Sequence, residues 1–485
     1  MLDFFKSFNA ASQYQTNRGP SPLCSKSVRD LLSHGVPRKL STVGLRSYLE
    51  YGCVCEPLTL IEGVSAARQT ARGCRQETGF EEEERVRPAF KSVAEAQTAV
   101  TAAVEESVRR ELVPDAKGRL PAAFLSGGID SSAIVSVMRR VAPDAEIRTY
   151  CVTHEDAKTD EREWARKVAE ANGTKHVELM LTGDMIRDHI EEAIACYDQP
   201  SLDGLNFWFV SKLVSEMGEK VVLSGEGGDE LFVGYGRFGN QRKCERWARR
   251  LGWLPSCLGV PFMKWGTNDK IRKFGQLVGC KTDPYFESRR IFDRYTISQL
   301  LRPELREAVR RAEPFSQVWQ RTFGTGSLAS AADWINATSY KEMTTVLLSM
   351  YLHDGHQVSR PFGLDIRTPL LDPKLVSLIF SIPGDWKCSP DCLKPMLVKA
   401  AGQGLPWECV VRKKQGFTLP FDRYFNGVMK DRIDAFLFGG DTLLFDPRSL
   451  ARLGRAYRAG KTTWSRVWAL FMVDDWCKRN QVELP

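Results

Sequence analysis

The 485-residue sequence lacks the long hydrophobic runs of membrane-spanning and exported proteins. No window of about 18 uncharged apolar residues occurs, so the sequence predicts no transmembrane helix. Its first six residues, MLDFFK, are not a basic segment followed by a continuous apolar stretch, which argues against a secretory signal. We therefore expect no association with a membrane.

A concentrated basic surface is also lacking. The net charge of +8 comes from 68 basic and 60 acidic residues, and the basic ones are spread along the chain. The densest basic stretch, residues 242–250, also contains Glu245 and Trp247, which is typical of a solvent-exposed helix face. The sequence therefore predicts no nucleic-acid partner.

The thirteen cysteines lack the pairing of a disulfide framework or a zinc site. They are odd in number and scattered through a long chain, which favours reduced thiols and a cytoplasmic location. Cys53 and Cys55 form one close pair, and Cys388 and Cys392 form another. Neither pair is joined by a second pair or by histidines at zinc spacing, so we expect no zinc site.

A glycine-rich stretch at residues 124–134, FLSGGIDSSAI, is the first motif with a specific chemistry. Apolar residues precede it like a buried strand, and Ile134, Met138 and Val141 follow at the spacing of a helix face. Glycine lets backbone N–H groups turn toward an anion, and the amino end of a helix adds positive dipole charge. An ordinary strand-to-helix turn uses the same residue types, but the full pattern favours a phosphate-binding loop.

The stretch VVLSGEGGDELFVGY at residues 221–235 repeats that arrangement. A short apolar strand again precedes Ser-Gly, a glycine pair and an acidic residue that begins a helix. Two such loops on neighbouring strands would face each other across a nucleotide. Asp130 and Asp229 would then share a magnesium ion, because this cation prefers oxygen ligands. Each aspartate also suits a helix N-cap, and the two roles are compatible.

The order of the predicted elements indicates an α/β fold. Strands predicted at 146–152, 176–181 and 220–223 alternate with helices at 160–172, 187–197 and 207–217, which is typical of a parallel, doubly wound sheet. Ligands of such sheets bind at the carboxyl ends of the strands, where Ser126 and Ser224 fall. We divide the chain into three parts: an irregular lead at 1–40, an α/β core with a helical entry at 41–240, and a mainly helical region at 241–485.

With both loops in view, the sequence resembles the synthetase domain of the asparagine synthetase family from about residue 41 to residue 425. The shared motifs occur in the family's order: LSGGIDSS, TDEREWARKVAEANGTKH, LSGEGGDELFVGY, GLDIRTPLLD and RKKQGF. The resemblance implies a pyrophosphate-loop ATP site and a ligase that uses ATP and Mg²⁺. Such an enzyme activates a carboxylate as an acyl-adenylate, with release of pyrophosphate, before an amine attacks.

The resemblance also implies roles for individual residues. Lys414 would stabilise negative charge on the phosphates and during acyl transfer. Glu226 would support adenylate formation and handle the nitrogen nucleophile. Asp365 stands where the family's GLE motif has glutamate and is a third catalytic candidate. The residues expected to bind ATP are Leu125, Ser126, Gly127, Gly128, Asp130, Ser131, Val152, Ser224 and Gly225.

Two departures from the family bear on the substrates. Full-length asparagine synthetases begin with a glutaminase domain whose nucleophile is the cysteine after the initiator methionine, whereas this sequence has Leu2. We therefore expect nitrogen from ammonia, from an amine substrate or from a separate amidotransferase or biosynthetic partner protein. The positions near the family's acceptor pocket also differ, which leaves open a small-molecule or a peptide carboxylate. They are His356, Gln357, Arg360 and Pro361.

Three alternatives remain at this point. An intramolecular cyclase of natural-product or lasso-peptide biosynthesis would use an amine on the same substrate; Glu226 argues against the β-lactam type, which has tyrosine there. A second alternative is a regulatory nucleotide-binding protein that has lost its chemistry. The joint presence of four residues argues against it: Asp130, Asp229, Glu226 and Lys414. A tRNA-modifying pyrophosphate-loop enzyme would need a concentrated basic face.

Overall fold

The structure is a computed structural model of the whole chain. It describes residues 13–16, 23–70, 73–75, 90–154, 161–251, 258–259, 261–262, 269–280, 282–324, 333–412 and 419–485.

A small antiparallel sheet and two helices precede the α/β core. The sheet has the order β2-β1-β3-β4, and Tyr14 of β1 lies opposite Ala66 of β3. The first helix of this region begins after Ser27 and the second after Ser41, whose hydroxyl accepts from Gly44 N at 3.1 Å. The elements are β1 (Gln13–Thr16), β2 (Cys24–Ser25), α1 (Val28–Ser33), α2 (Thr42–Tyr51), β3 (Val64–Thr70) and β4 (Gly73–Arg75).

The region expected to be an irregular lead thus contains β1, β2 and α1. Tyr14 is buried against the rest of the protein, with 3% of its surface exposed. β1 has only four residues, QYQT, and its partner strand lies about fifty residues further on. Because so short a strand has almost no periodicity of its own, its pairing partner decides its structure. The helical entry predicted from residue 41 onward begins with a helix at Thr42, whose N-cap is Ser41.

The second sheet is parallel, as predicted from the alternating strands and helices. Its order is β7-β6-β5-β8-β9, and every neighbouring pair is parallel. Ala123, between β6 and β8, is fully buried, as expected for a strand covered on both faces. The strands are β5 (Ala122–Phe124), β6 (Arg148–His154), β7 (Lys175–Leu181), β8 (Val221–Leu223) and β9 (Asp365–Arg367).

Helices connect these strands at the predicted places. The entry helix α3 packs Val100, Val104 and Val108 into the same core as Ile134 and Met138 of α4. These five side chains are at most 1% exposed, so the hydrophobic effect firmly joins the entry helix to the core. The helices are α3 (Val93–Glu111), α4 (Ile129–Val141), α5 (Arg162–Ala171), α6 (Gly183–Ala195), α7 (Leu205–Glu216) and α8 (Gly228–Leu231).

The remainder of the described chain is mainly helical, as predicted, apart from β9. A π-helix at Met343–Leu352 leads into α16, and short 3₁₀ turns lie at Arg360–Phe362, Pro369–Leu371, Gly384–Lys387 and Gly402–Gly404. No helix in the described ranges is long and apolar enough to cross a membrane. The α-helices are α9 (Arg237–Leu251), α10 (Asp269–Cys280), α11 (Pro284–Arg289), α12 (Arg294–Leu300), α13 (Pro303–Arg311), α14 (Phe315–Thr322), α15 (Trp334–Glu342), α16 (His353–Ser359), α17 (Pro373–Phe380), α18 (Pro395–Ala401), α19 (Trp407–Val411), α20 (Phe421–Asn426), α21 (Lys430–Phe438), α22 (Pro447–Arg458) and α23 (Trp464–Arg479).

Candidate active site

A cavity of about 450 Å³ opens where β5, β6 and β8 end, and both glycine-rich loops line it. This volume lies within the range of small-molecule sites, and the carboxyl edge of a parallel sheet is where such sites form. Most of the predicted ATP-binding residues line the cavity: Leu125, Ser126, Gly128, Asp130, Ser131, Val152, Ser224 and Gly225.

In the first loop, two serine hydroxyls lie at the amino end of α4. The backbone N–H of Ser126 donates to Ser131 Oγ at 3.2 Å, and the hydroxyls of Ser126 and Ser131 lie 3.1 Å apart. The backbone N–H of Gly128 donates to Ser126 Oγ at 3.3 Å. Hydroxyl and amide donors at the start of a thirteen-residue helix suit an anion such as a phosphate group.

Gly127 is the one predicted ATP-binding residue that does not line the cavity. Its φ is +71°, and a Cβ atom there would lie 2.5 Å from the backbone carbonyl carbon of Trp164 in α5. Glycine is therefore required for the close approach of α5 to the loop. Gly225 has a comparable role between the two loops, because a Cβ atom there would lie 2.7 Å from the backbone of Asp130.

Asp130 and Asp229 approach each other at the amino ends of α4 and α8. The N-cap residues of these helices are Gly128 and Gly227, so neither aspartate is the cap that the sequence left as an alternative. Lys394 instead lies between the two carboxylates and forms ion pairs with both, at 2.5 Å to Asp130 Oδ1. Burial by itself would lower the pKa of Lys394, but Asp130 and Asp229 raise it above its ordinary value.

Sequence reasoning missed Lys394. It is 264 residues from Asp130 and belongs to none of the motifs that drew attention to the loops. The only local signal is the lysine–proline pair at the start of α18, which marks a helix boundary and no chemistry.

The two aspartates fit a magnesium site. They are close enough to bind a single ammonium group, and carboxylate oxygens are the ligands that Mg²⁺ prefers. Within the described ranges there is no group of three or more histidine, cysteine or acidic side chains suited to a metal ion. A cation at this position would therefore share its remaining ligand positions among water and phosphate oxygens, as Mg²⁺ commonly does.

The side of the cavity next to β6 is apolar. Leu125 is 1% exposed and Val152 is 8% exposed, and both lie beside Phe124 and Val210 in the wall. The backbone N–H of Leu125 donates to the Tyr150 carbonyl at 2.8 Å, which fixes the start of the first loop. An apolar slot with nearby backbone groups suits a purine ring.

Acidic side chains line another part of the cavity. Glu226 lies there with Asp203 and Glu230, and no cationic side chain among the described residues pairs with Glu226. Burial raises the pKa of Glu226 well above its ordinary value, and Glu230, Asp203 and Asp354 add to this effect. Burial also raises the pKa of Glu230 to about 7, although the Tyr235 hydroxyl donates to it at 2.6 Å.

Asp354 is buried outside the cavity lining and is held by two donors. The Ser201 hydroxyl donates to one of its oxygens at 2.5 Å, and the Gln357 amide donates to the other at 2.9 Å. Gln357 is one of the four positions that depart from the family pattern, and none of those four lines the cavity. Its observed role is therefore to position Asp354. The sequence did not single out Asp203, Glu230 or Asp354.

Of the three predicted catalytic residues, Glu226 lines the cavity, Asp365 does not, and Lys414 lies outside the described residues. Asp365 begins β9 and lies opposite Val221, at the start of β8, whereas the second loop follows the end of β8. The Asp365 side chain is exposed and accepts a hydrogen bond from Arg367 Nε at 2.7 Å. Because Arg367 holds the Asp365 carboxylate at the edge of the sheet, the position of Asp365 does not support a role at the cavity. Lys414 falls in residues 413–418, outside the described residues.

Arg412 is the last described residue before that gap and does line the cavity. Its guanidinium donates to Glu161 at 2.7 Å and lies over the Trp164 ring, 5.5 Å from the ring centroid. This fixed positive charge lies near the first loop, because Arg412 Nη2 would be 3.8 Å from a Cβ atom on Gly128.

The fold and the cavity define a class of protein: α/β proteins with a cavity between glycine-rich loops at the carboxyl edge of a parallel sheet. Comparison with known families is more specific. The sequence model of the family described as "Asparagine synthase" matches residues 99–478, which is most of the chain. The chain therefore belongs to the asparagine synthase family.

Curated relatives agree with this assignment. The chain is 25% identical over 399 residues to "Asparagine synthetase [glutamine-hydrolyzing] 1" of Bacillus subtilis, covering 80% of this chain and 60% of that protein. It is 26% identical over 392 residues to "Putative asparagine synthetase [glutamine-hydrolyzing]" of Mycobacterium bovis, covering 78% of this chain and 57% of that protein. The chain thus spans less than two thirds of the length of these relatives.

Proposed function

We propose that this protein is an ATP-dependent, amide-bond-forming ligase that activates a carboxylate as an acyl-adenylate. The observation that carries the proposal is the meeting of two chemically different loops in one cavity. The first loop offers hydroxyl and amide donors for phosphate, and the second brings Glu226 into the same space. Membership of the asparagine synthase family supports the reaction class.

The reaction would have two balanced steps. A carboxylate oxygen of the substrate attacks the α-phosphorus of ATP, and the bond to the β-phosphate oxygen breaks to release pyrophosphate. A neutral amine or ammonia then attacks the acyl carbon, the acyl–oxygen bond breaks and AMP leaves with the original carboxylate oxygen. The nitrogen loses a proton, which Glu226 would accept.

Most of the predicted site residues have a place in this proposal. The fold would be doubly wound and of the pyrophosphate-loop type, and the strand order, which reverses direction beside β5, supports this. Asp130 and Asp229 would hold Mg²⁺, which neutralises phosphate charge when bound. Lys414 remains proposed for the phosphates and the acyl-transfer step, and Arg412 is a further cation for the phosphates. The cavity gives Asp365 no role.

The acidic wall favours a nitrogen nucleophile that arrives as a cation. Glu226, Asp203 and Glu230 attract an ammonium ion or a protonated amine, and the raised pKa of Glu226 suits proton exchange with it. The nitrogen source is ammonia, a free amine or the product of a separate amidotransferase. The comparisons do not favour the intramolecular cyclase, and we do not propose it. The free thiols among the described cysteines support our proposal of a cytoplasmic location.

The test uses purified protein, ATP, Mg²⁺, ammonium or hydroxylamine, and pools of candidate acids. We expect acid-dependent release of pyrophosphate and AMP, and a product whose mass corresponds to the amide or hydroxamate. A carboxylate labelled with oxygen-18 should transfer one labelled oxygen to AMP, which separates adenylation from phosphorylation of the acid. Formation of ADP and phosphate during acid-dependent turnover would contradict the proposal.

A further inference from the structure

Among the described residues, Lys394 is the cation that pairs with both proposed magnesium ligands. Its ammonium group pairs with both oxygens of Asp130 and with Asp229. Its side chain is only 2% exposed, whereas the Asp130 and Asp229 side chains are 21% and 18% exposed toward the cavity. Lys394 lines the cavity together with the two carboxylates and is the most buried of the three side chains.

The backbone is shaped around this ion cluster. A Cβ atom on Gly234 would overlap both Asp229 Oδ1 and Lys394 Cε, and a Cβ atom on Gly228 would overlap Asp130 Oδ1. Lys394 itself has φ +51°, a left-handed conformation that is uncommon for a residue with a side chain, and it immediately precedes α18. A strained backbone at a buried charge indicates a position that the surrounding structure enforces.

Electrostatics explains why a cation is needed here. Two carboxylates within reach of one ammonium group repel each other strongly in a partly buried site, and an uncompensated buried charge is costly. A magnesium ion bound by the same oxygens would supply the same compensation. The ammonium and the metal ion are therefore alternative partners of one pair of carboxylates.

We propose that Lys394 is a built-in replacement for magnesium, which joins the two loops in the metal-free protein and releases Asp130 and Asp229 when metal and nucleotide bind. Its ammonium group then remains at the phosphate end of the cavity, where a lysine acts as a mobile point charge. The inference rests on the magnesium site of the proposed function, but it concerns stability and metal affinity, which are measured without turnover.

The test compares wild type with Lys394→Met by thermal unfolding in EDTA and in Mg²⁺, without nucleotide. We expect the variant to have a lower melting temperature than wild type in EDTA and to regain most of that difference in Mg²⁺. Mg²⁺ should change the melting temperature of the wild type little. Binding of Mn²⁺, followed by electron paramagnetic resonance, should be about tenfold tighter or more in the variant. Equal rescue of both proteins, or equal Mn²⁺ affinity, would overturn the proposal.

Lys341→Met is the matched control. Lys341 is a largely buried lysine, 13% exposed, and lies away from the cavity. Among the described residues it pairs with one carboxylate only, that of Asp283, at 2.5 Å. This variant should lose stability without recovery in Mg²⁺. Recovery of Lys341→Met to the same extent as Lys394→Met would show a general salt effect and would also overturn the proposal.

A double variant covers the case in which Lys394→Met does not fold in EDTA. Asp130→Asn combined with Lys394→Met leaves one carboxylate and should fold in EDTA with little response to Mg²⁺. Continued misfolding of the double variant in EDTA would assign Lys394 a packing role and contradict the inference. Metal rescue of Lys394→Met without acid-dependent pyrophosphate release by the wild type would instead retain the inference and reject the proposed function.

Discussion

The two glycine-rich loops begin alike and differ in what they bring into the cavity. Both follow a three-residue buried strand, both contain Ser-Gly, and both enter a helix whose N-cap is glycine. The first continues into the thirteen-residue α4 and carries Ser126 and Ser131, whose hydroxyls face each other. The second continues into the four-residue α8 and carries Glu226 and Glu230.

The difference shows that the same backbone arrangement can suit an anion in one loop and a cation in the other. Donors at the start of a long helix suit an anion, because backbone N–H groups and the helix dipole act together. In the second loop, carboxylates are turned into a partly apolar cavity, and burial raises the pKa of both. The first loop is thus suited to hold phosphate, and the second to handle a cation or a proton.

The largest expected effect comes from removing the contact between the loops. Asp130→Asn and Asp229→Asn should each reduce magnesium-dependent pyrophosphate release to the background rate, because each removes a charged ligand for the metal–phosphate complex. Asp184→Asn is the matched control, since Asp184 also lies in the first turn of a helix after a strand but is exposed. Near-normal rates of pyrophosphate release in both site variants would show that Asp130 and Asp229 have only a structural role.

The second-loop carboxylate should matter less than the metal ligands. We expect Glu226→Gln to lower amide formation by about a hundredfold, because a general base typically contributes that much or more. ATP binding, followed by calorimetry, should change little, since the first loop is intact. A strong loss of both ATP binding and catalysis would contradict the proposal that the first loop binds phosphate and the second handles the nitrogen nucleophile.

Gly127→Ala and Gly128→Ala separate packing from binding within the first loop. Gly127→Ala should destabilise the protein by about 1–3 kcal/mol in urea unfolding, because of its positive φ and the clash with α5. At Gly128 the added Cβ atom meets two side-chain atoms, Ser126 Oγ at 3.3 Å and Arg412 Nη2 at 3.8 Å. This variant should keep its stability and bind ATP more weakly. The reverse pattern would contradict the geometry of the loop.

The raised pKa of Glu226 predicts a modest pH effect on stability. The folded protein holds this proton more tightly than the unfolded chain, whose carboxyl has an ordinary pKa of 4.5. Stability from the protonated carboxyl is therefore present at low pH and is lost as pH rises through the folded pKa. Glu226→Gln should show a smaller decrease in melting temperature than wild type between about pH 5 and pH 8. Parallel curves would contradict the burial of this carboxyl.

The smallest effect is expected at Asp365. Asp365→Asn should change kcat/KM for pyrophosphate release by less than about twofold, as for other exposed positions away from a site. Its side chain is 53% exposed and does not line the cavity. A large loss of activity with unchanged stability would restore the catalytic role that the family resemblance implied.

The sequence was most informative where structure is locally determined. The strand, glycine turn and helix of the first loop, and the helix capped by Ser41, follow from residues that are close in the chain. Lys394 and Asp203 could not be found in this way, because burial and distant partners give them their importance. The burial of Glu226 likewise depends on packing. A family motif fixes a position in the chain and not the direction of a side chain, so the catalytic role of Asp365 stays a prediction.

The pairing of β8 with β9 has a consequence for the order of assembly. β8 ends in the second loop, and the backbone N–H of Ser224 donates to the carbonyl of Arg367 at 2.8 Å. During synthesis, β8 is therefore an exposed edge until about 140 further residues have left the ribosome, and exposed edges recruit foreign strands. A nascent chain interrupted before β9 would be prone to aggregate through the strand that leads into its own candidate active site.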